Sequence, residues 1–137
     1  MRRCVFFVAL VLLVTSCTVT REGDPNPGDQ RPAREFTIDD TRIQVGPGES
    51  FTIAVGDNAS VGDDWSLSTE PDARVVTADG DHYVADSDED VAGGGGTRYF
   101  VFTAKENGTT TVELRNCYRG CAEPDDDHRY EIAVEVG

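Results

Sequence analysis

Hydrophobic and polar residues alternate along most of the chain from about residue 34 onward. The last run shows this best, because Ile132, Val134 and Val136 alternate with Glu131, Ala133 and Glu135. A period of two puts one set of side chains on a buried face and the other in solvent, as in a half-buried strand. Nine such runs, rich in Val, Ile, Thr, Phe and Tyr, are EFTID, TRIQV, SFTIAV, DWSLS, RVVTA, HYVA, TRYFVFTA, TTTVELR and YEIAVEV.

Turn-forming residues separate these runs, and no helical period of useful length is present. The turn signals are Gly46-Pro47-Gly48, Asp57-Asn58, Asp79-Gly80 and Asn107-Gly108. Short strands at this spacing predict an all-β fold, an immunoglobulin-like antiparallel β-sandwich of about seven to nine strands over residues 34–137. We expect Trp65 to pack between its two sheets.

The first 16 residues have a different character. Arg2 and Arg3 precede an unbroken apolar run from Val5 to Val14, which is the layout of a secretory signal. The run is shorter than the roughly 18 residues that a membrane-spanning helix needs. The sequence Val14-Thr15-Ser16-Cys17 resembles the lipobox of prokaryotic lipoproteins, which implies that residues 1–16 are removed and that Cys17 is lipidated. The alternative is plain secretion, with Cys17 incidental.

Residues 17–33 would then be the lipidated cysteine and a linker. The segment is polar, rich in Pro and Gly, and without apolar periodicity, which indicates a flexible tether rather than a folded element. The predicted location is the cell envelope, either the outer face of the membrane or the periplasm.

Charge excludes one class of partner. Without residues 1–16 the chain has 26 Asp and Glu against 10 Lys and Arg, a net charge of −16. Nucleic-acid binding needs clustered Lys and Arg, so no nucleic-acid partner is expected.

Cysteine usage fits export. Cys4 leaves with the signal and Cys17 takes lipid, so Cys117 and Cys121 remain as a candidate disulfide.

Four consecutive glycines, Gly93 to Gly96, precede the run TRYFVFTA. A linker is a poor explanation because strand-like runs flank the glycines on both sides. A phosphate-binding loop is also a poor explanation, since no helix and no Lys-Ser/Thr pair follow at the required spacing. Ordering four glycines costs conformational entropy. That cost suits a loop whose backbone must approach another surface closely.

The segment GGGGTRYFVFTAKENGTTTVELR resembles part of the chagasin-type inhibitors of papain-like cysteine proteases. In that family a Gly-x-Gly-Gly loop leads into a strand with an inward aromatic residue, then a hairpin, then a Thr/Val-rich strand. The matching positions are Gly93, Gly95, Gly96 and Thr97, Phe100 as the inward aromatic, Gly108 in the hairpin, and Val112 and Leu114 in the next strand.

Two further family loops have counterparts. The family's Asn-Pro-Thr-Thr-Gly-Tyr-x-Trp loop corresponds to Asn58-Ala59-Ser60-Val61-Gly62-Asp63-Asp64-Trp65. Its Arg-Pro-Trp loop is replaced by Cys117-Tyr118-Arg119-Gly120-Cys121. The lost proline, hydroxyl and tryptophan together would weaken binding roughly 100- to 1,000-fold. A bridged ring that presents Tyr118 and Arg119 is the hypothesised compensation.

The resemblance implies an inhibitor that performs no chemistry and blocks the protease cleft reversibly with three loops gathered at one end of the sandwich. The implied protease-binding residues are Asn58, Ala59, Ser60, Val61, Gly62, Gly93, Gly94, Gly95, Gly96, Tyr118 and Arg119. The expected partners are a papain-like cysteine protease and, through the lipid on Cys17, the membrane. We expect a monomer without cofactor or metal.

Two other interpretations compete with this one. An immunoglobulin-like interaction module of the envelope could have kept the scaffold and lost inhibition, as the altered loops allow. An enzyme is disfavoured because no Gly-x-Ser-x-Gly motif is present. The acidic runs Asp86 to Asp90 and Asp125 to His128 are interpreted as solvated loops, because a calcium-loop register from Asp86 places Val91 where Gly is needed and Thr97 where Glu is needed. Two isolated histidines, His82 and His128, do not suggest zinc.

Overall fold

Eight strands, paired into two four-stranded sheets, form the fold. The computed structural model describes residues 33–86 and 93–137. In chain order the strands are β1 (Arg34–Thr37), β2 (Arg42–Val45), β3 (Ser50–Asp57), β4 (Trp65–Thr69), β5 (Val76–Ala85), β6 (Gly96–Ala104), β7 (Gly108–Cys117) and β8 (Asp127–Val136). One sheet has the order β1-β3-β6-β5 and the other β2-β8-β7-β4. Short 3₁₀ segments occupy Tyr118–Cys121 and Pro124–Asp126.

The predicted all-β sandwich is confirmed, and its long strands pair antiparallel. The two short N-terminal strands are the exception, because β1 pairs parallel to β3 and β2 pairs parallel to β8. The alternation in the last run is also confirmed: Ile132, Val134 and Val136 are buried.

The turn predicted at Asp79-Gly80 is wrong. The runs RVVTA and HYVA belong mainly to one strand, β5, and the register with β6 shifts between Ala78 and Gly80. Gly80 has φ +108°, which suits a β-bulge inside a strand as well as it suits a turn. Nine predicted runs therefore become eight strands.

The hairpin predicted at Gly108 is also wrong. The strands on either side of it, β6 and β7, lie in different sheets. Strand β6 lies between β3 and β5, and β7 lies between β4 and β8. Neither strand therefore has a free edge at which the other could pair. Residues 105–107 instead carry the chain from one sheet to the other.

Side chains from both sheets fill the core. Phe51 and Phe102 stack with ring centroids 5.3 Å apart, and Phe100, predicted to point inward, is buried. The other fully buried large side chains are Ile43, Ile53, Val76, Val112, Leu114, Ile132 and Val134. Burial of such residues is the main favourable term in folding.

Trp65 lies at one end of this core and is half-buried. Its ring packs 5.5 Å from that of Tyr130, and its indole N–H donates to the carbonyl oxygen of Gly56 at 2.9 Å. Because Gly56 belongs to the other sheet, Trp65 ties the two sheets together just below the loops of that end.

Some predictions fall outside the described residues. These are the signal peptide at 1–16, lipidation of Cys17, nearly all of the linker at 17–33, and most of the acidic run that follows Asp86. Among the residues that are described, no helix has the length and apolar character needed to cross a bilayer.

Candidate functional site: three loops at one end of the sandwich

Three connections lie at the same end of the sandwich. The first loop (58–64) joins β3 to β4, the glycine loop (93–95) leads into β6, and the third loop (117–121) follows β7. Strand register explains their proximity, because the end of β3 pairs with the start of β6 and the start of β4 pairs with the end of β7. Antiparallel pairing therefore places all three loops at the same end of the sandwich.

Asn58 organises the first loop from within. Its carbonyl oxygen accepts the N–H of Val61 at 3.1 Å, which closes a four-residue β-turn. Its side-chain Oδ1 accepts the N–H of Ser60 at 3.1 Å and the Ser60 hydroxyl at 2.6 Å. An Asn side chain that satisfies nearby backbone in this way is a common means of ordering a turn.

The first loop contacts the glycine loop directly. Asn58 Nδ2 and Ser60 Oγ each lie 3.4 Å from the carbonyl oxygen of Gly93. A Cβ on Gly95 would lie 3.4 Å from Asn58 Cβ and Nδ2, so the Gly95 backbone packs against the Asn58 side chain. Gly93 itself has φ +84°, a backbone conformation that glycine adopts without strain.

The first loop also contacts the third. Arg119 N–H donates to the carbonyl oxygen of Gly62 at 2.7 Å, and Cys117 N–H donates to that of Asp64 at 2.9 Å. Gly62 has φ +112°, and a Cβ there would lie 2.7 Å from Arg119 Cγ. Only glycine fits at position 62 because both its backbone and its neighbour exclude a side chain.

A disulfide between Cys117 and Cys121 closes the third loop, with the two Cα atoms 5.0 Å apart. Within the ring Arg119 and Cys121 adopt φ values of 50° and 51°, which are uncommon for residues other than glycine. The Arg119 guanidinium lies 4.9 Å from the centre of the Tyr118 ring, a cation–π contact. The loop thus presents these two side chains as a unit.

Arg115 supports the third loop from below. Its guanidinium donates to Asp127 Oδ1 at 2.7 Å and to Cys121 Sγ at 3.3 Å. The hydrogen bond from Arg115 holds the pKa of the Asp127 carboxyl below its ordinary value, and the same bond raises the pKa of Arg115. Both groups are therefore charged at neutral pH.

The outer surface of this end is mixed in character. Val61, at the tip of the first loop, is 49% exposed and is one of few large hydrophobic residues at the surface of the described chain. Exposed neighbours are Ala59, Ser60, Gly93, Gly94, Arg119 and Gly120. In residues 33–86 and 93–137, no group of three or more His, Cys, Asp or Glu is arranged to hold a metal ion. The loop end therefore presents an apolar side chain, Val61, and the exposed backbone of Gly93 and Gly94 to a binding partner.

All eleven residues proposed from the sequence as protease-binding lie at this end. They differ in accessibility: the tip of the first loop is exposed, whereas Gly96 is buried in β6 against Tyr83 and Val84. Sequence reasoning missed Asp63 and Asn116, whose side chains hydrogen-bond between the first loop and β7. No local signal indicates that pairing, because the two residues are 53 positions apart.

Comparison with known proteins supplies the family. A model of the chagasin family peptidase inhibitor I42 matches residues 44–134, which is more than half of the chain. The chain therefore belongs to the chagasin family of peptidase inhibitors, and the resemblance inferred from its loops is confirmed. A search of curated protein sequences finds no significant match.

Solved structures share the fold. Amebosin is 23% identical, with a TM-score of 0.62 over 77% of this chain and 99% of that one. The cysteine protease inhibitor EhICP2 of Entamoeba histolytica is 16% identical, with a TM-score of 0.60 over 77% and 96%. PbICP-C, solved in complex with falcipain-2, is 15% identical, with a TM-score of 0.53 over 77% and 91%.

Proposed function

We propose that this protein is a membrane-anchored, extracytoplasmic and reversible inhibitor of papain-like cysteine proteases. The first loop, the glycine loop and the third loop would together block the active-site cleft. Family membership supports inhibition of a peptidase, and the complex of PbICP-C with falcipain-2 supports a cysteine protease as the target. No chemical step is required of the inhibitor.

One observation carries the proposal: the three loops are already hydrogen-bonded to one another in the unbound protein. Gly93 accepts from the first loop, and Gly62 accepts from Arg119 of the third. A surface that is already ordered loses less conformational freedom on binding, so more of its contact energy appears as affinity. An ordered set of loops of this kind suits insertion into a preformed cleft.

Val61 is the residue expected to enter deepest. It stands at the tip of the first loop and is half exposed, although Val favours the interior. Tyr118 and Arg119 would grip one flank, since both residue types are enriched at binding hot spots. The exposed backbone of Gly93 and Gly94 would contact the other flank.

Titration of papain with the oxidised domain, residues 34–137, tests the proposal through the cleavage of a peptide substrate. We expect inhibition in the nanomolar range. Val61→Glu should raise the inhibition constant at least about tenfold, because a charge would be buried in the cleft. Pro47→Glu is the matched control, since it adds the same charge to an exposed turn between β2 and β3 at the opposite end. It should leave inhibition unchanged.

Absence of inhibition at tens of micromolar would contradict the proposal and favour the alternative of an immunoglobulin-like interaction module. Equal inhibition by the wild type and Val61→Glu would show that the loop end does not enter the cleft. Melting temperatures of both variants, compared with that of the wild type, show that folding is intact.

Membrane anchoring is tested separately, by labelling expressing cells with a radioactive fatty acid. We expect label in the wild type and none in Cys17→Ser. Cys4→Ser is the matched control, because this cysteine lies inside the predicted signal peptide and should not affect labelling. Label that persists in Cys17→Ser would contradict lipidation at that residue.

A further inference from the structure

The first loop contains no proline to restrict its backbone, so hydrogen bonds must hold its shape. Position 59, the second residue of the turn from Asn58 to Val61, is alanine, so no ring restrains the backbone there. The hydrogen bonds to Gly93 are long, at 3.4 Å, and therefore weak. Shorter and better-shielded contacts lie at the base of the loop.

Asp63 supplies two of these contacts. Its Oδ2 accepts the backbone N–H of Asn58 at 3.0 Å, and its Oδ1 accepts Nδ2 of Asn116 at 2.9 Å. The first bond closes the loop on itself, because Asn58 and Asp63 stand near its two ends. The second ties the closed loop to the body of the sandwich. Hydrogen bonds to an ionised carboxylate are stronger than neutral ones.

Asn116 is a rigid anchor. It lies in β7 opposite Trp65 and is 7% exposed. Its Oδ1 accepts the backbone N–H of Asp64 at 3.0 Å, while its Nδ2 donates to Asp63. A carboxylate only accepts and an amide N–H only donates, so a single orientation of the Asn116 amide satisfies both partners.

We infer that Asp63 and Asn116 are positioning residues for inhibition, a polar brace that holds the first loop in its binding shape. Neither side chain forms the exposed tip; they act through the backbone of Asn58 and Asp64. The inference rests on the proposed function for its consequence, since a loosened loop would bind a cleft less tightly. The brace itself is a structural property that can be measured without a protease.

The network predicts an exchange experiment. In Asp63→Asn, the new amide must turn its Nδ2 either toward the N–H of Asn58 or toward Nδ2 of Asn116, so one bond is lost. In Asn116→Asp, two carboxylates face each other. The double variant D63N/N116D restores every bond with donor and acceptor reversed between the two side chains, while the N–H groups of Asn58 and Asp64 still find oxygens.

We expect each single variant to raise the inhibition constant for papain about 5- to 50-fold, the effect of one or two lost hydrogen bonds. The double variant should return to within about threefold of the wild type, because neighbouring substitutions that restore a contact are non-additive. Amide hydrogen exchange at Val61 and Gly62 should accelerate in the single variants and recover in the double variant.

Gln44→Glu is the matched control. Gln44 Nε2 donates to Glu135 at 3.2 Å, so this substitution also places two carboxylates together, on β2 and β8 away from the loops. It should leave both the inhibition constant and loop exchange unchanged. A role of the brace in overall stability alone would lower the melting temperature of the variants without changing inhibition by the folded fraction.

Inhibition by the single variants equal to that of the wild type, or failure of the double variant to recover, would overturn the inference. If Asn116→Asp does not fold, Asp63→Asn, which adds no charge, decides alone. If the wild type does not inhibit papain, the proposed function fails, and exchange at Val61 and Gly62 still decides whether the brace orders the loop.

Discussion

The first loop and the glycine loop lie side by side at one end of the sandwich, and they differ in what fixes their backbones. Side chains hold the first loop, since Asn58 and Asp63 bond to its own N–H groups. The glycine loop and the start of β6 depend on the lack of side chains, because Gly93 has φ +84° and Gly96 packs against Val84 and Tyr83 with no room for a Cβ. Substitutions should therefore loosen the first loop but displace the second.

Gly96→Val should produce the largest effect. A Cβ at position 96 would overlap the carbonyl oxygen of Val84 and would lie 2.5 Å from the Tyr83 ring. Relief requires β5 and β6 to separate, at a cost of about 3 kcal/mol in the free energy of unfolding. We expect at least a hundredfold loss of inhibition, together with a lower denaturation midpoint. Gly56→Val is the control, because a Cβ there meets nothing within 4 Å. Equal behaviour of the two variants would contradict the steric account.

Replacing both Cys117 and Cys121 by Ser should have the next largest effect. A ring this small stabilises by about 2 kcal/mol in the chain-entropy model. Part of that stabilisation holds the Arg119 N–H against Gly62, so we expect inhibition to weaken about tenfold. Titration of papain with the variant, at a temperature where it remains folded, measures the change. An unaltered inhibition constant would show that the third loop takes its shape without the disulfide.

Ala59→Pro should strengthen inhibition. Position 59 is the second residue of the turn closed by the bond from Val61 to Asn58, where proline is favoured. Restricting the unbound loop should contribute about 0.4 to 1 kcal/mol, a two- to fivefold lower inhibition constant. A larger gain in D63N than in the wild type would show that the proline and the brace restrict the same backbone. Weaker inhibition by Ala59→Pro would mean that the turn has another geometry.

Lowering the pH should produce the smallest effect, a loss of the stabilisation that comes from the hydrogen bond between Arg115 and Asp127. The hydrogen bond from Arg115 lowers the pKa of Asp127 below its ordinary value of about 3.8. The stabilisation is then fully present above pH 3.8 and is lost as the pH falls through the lower, folded value. The melting temperatures of wild type and Asp127→Asn should differ by a constant amount from pH 7 to about pH 4 and converge below. A difference that vanishes already at pH 5 would contradict this assignment. Asp125→Asn, at a nearby exposed carboxyl, is the control.

The architecture could be predicted because strand periodicity is local. Alternation in the last run identified Ile132, Val134 and Val136 as core residues, and the glycine run marked a loop of close backbone approach. The turn predicted at Gly80 and the hairpin predicted at Gly108 were wrong because a glycine with positive φ is equally compatible with a turn, a bulge or a crossing between sheets. Only the pairing of whole strands distinguishes these cases.

The brace between Asp63 and Asn116 could not be predicted for a different reason. The two side chains meet because Trp65 of β4 pairs with Asn116 of β7, and that register is set by packing across the sheet. Taken singly, an Asp in a loop and an Asn near a strand end are ordinary turn residues. Their joint role is visible only once the strands are placed.

The proposed function requires the loop end to enter the active-site cleft. Titration calorimetry with two forms of papain tests it directly: one with an empty cleft, its catalytic thiol capped by a single methylthio group, and one with the cleft filled by a covalent peptidyl inhibitor. We expect tight binding to the first form and no detectable binding to the second. Equal affinity for both forms would contradict the proposed function, because the protein would then bind papain outside the cleft.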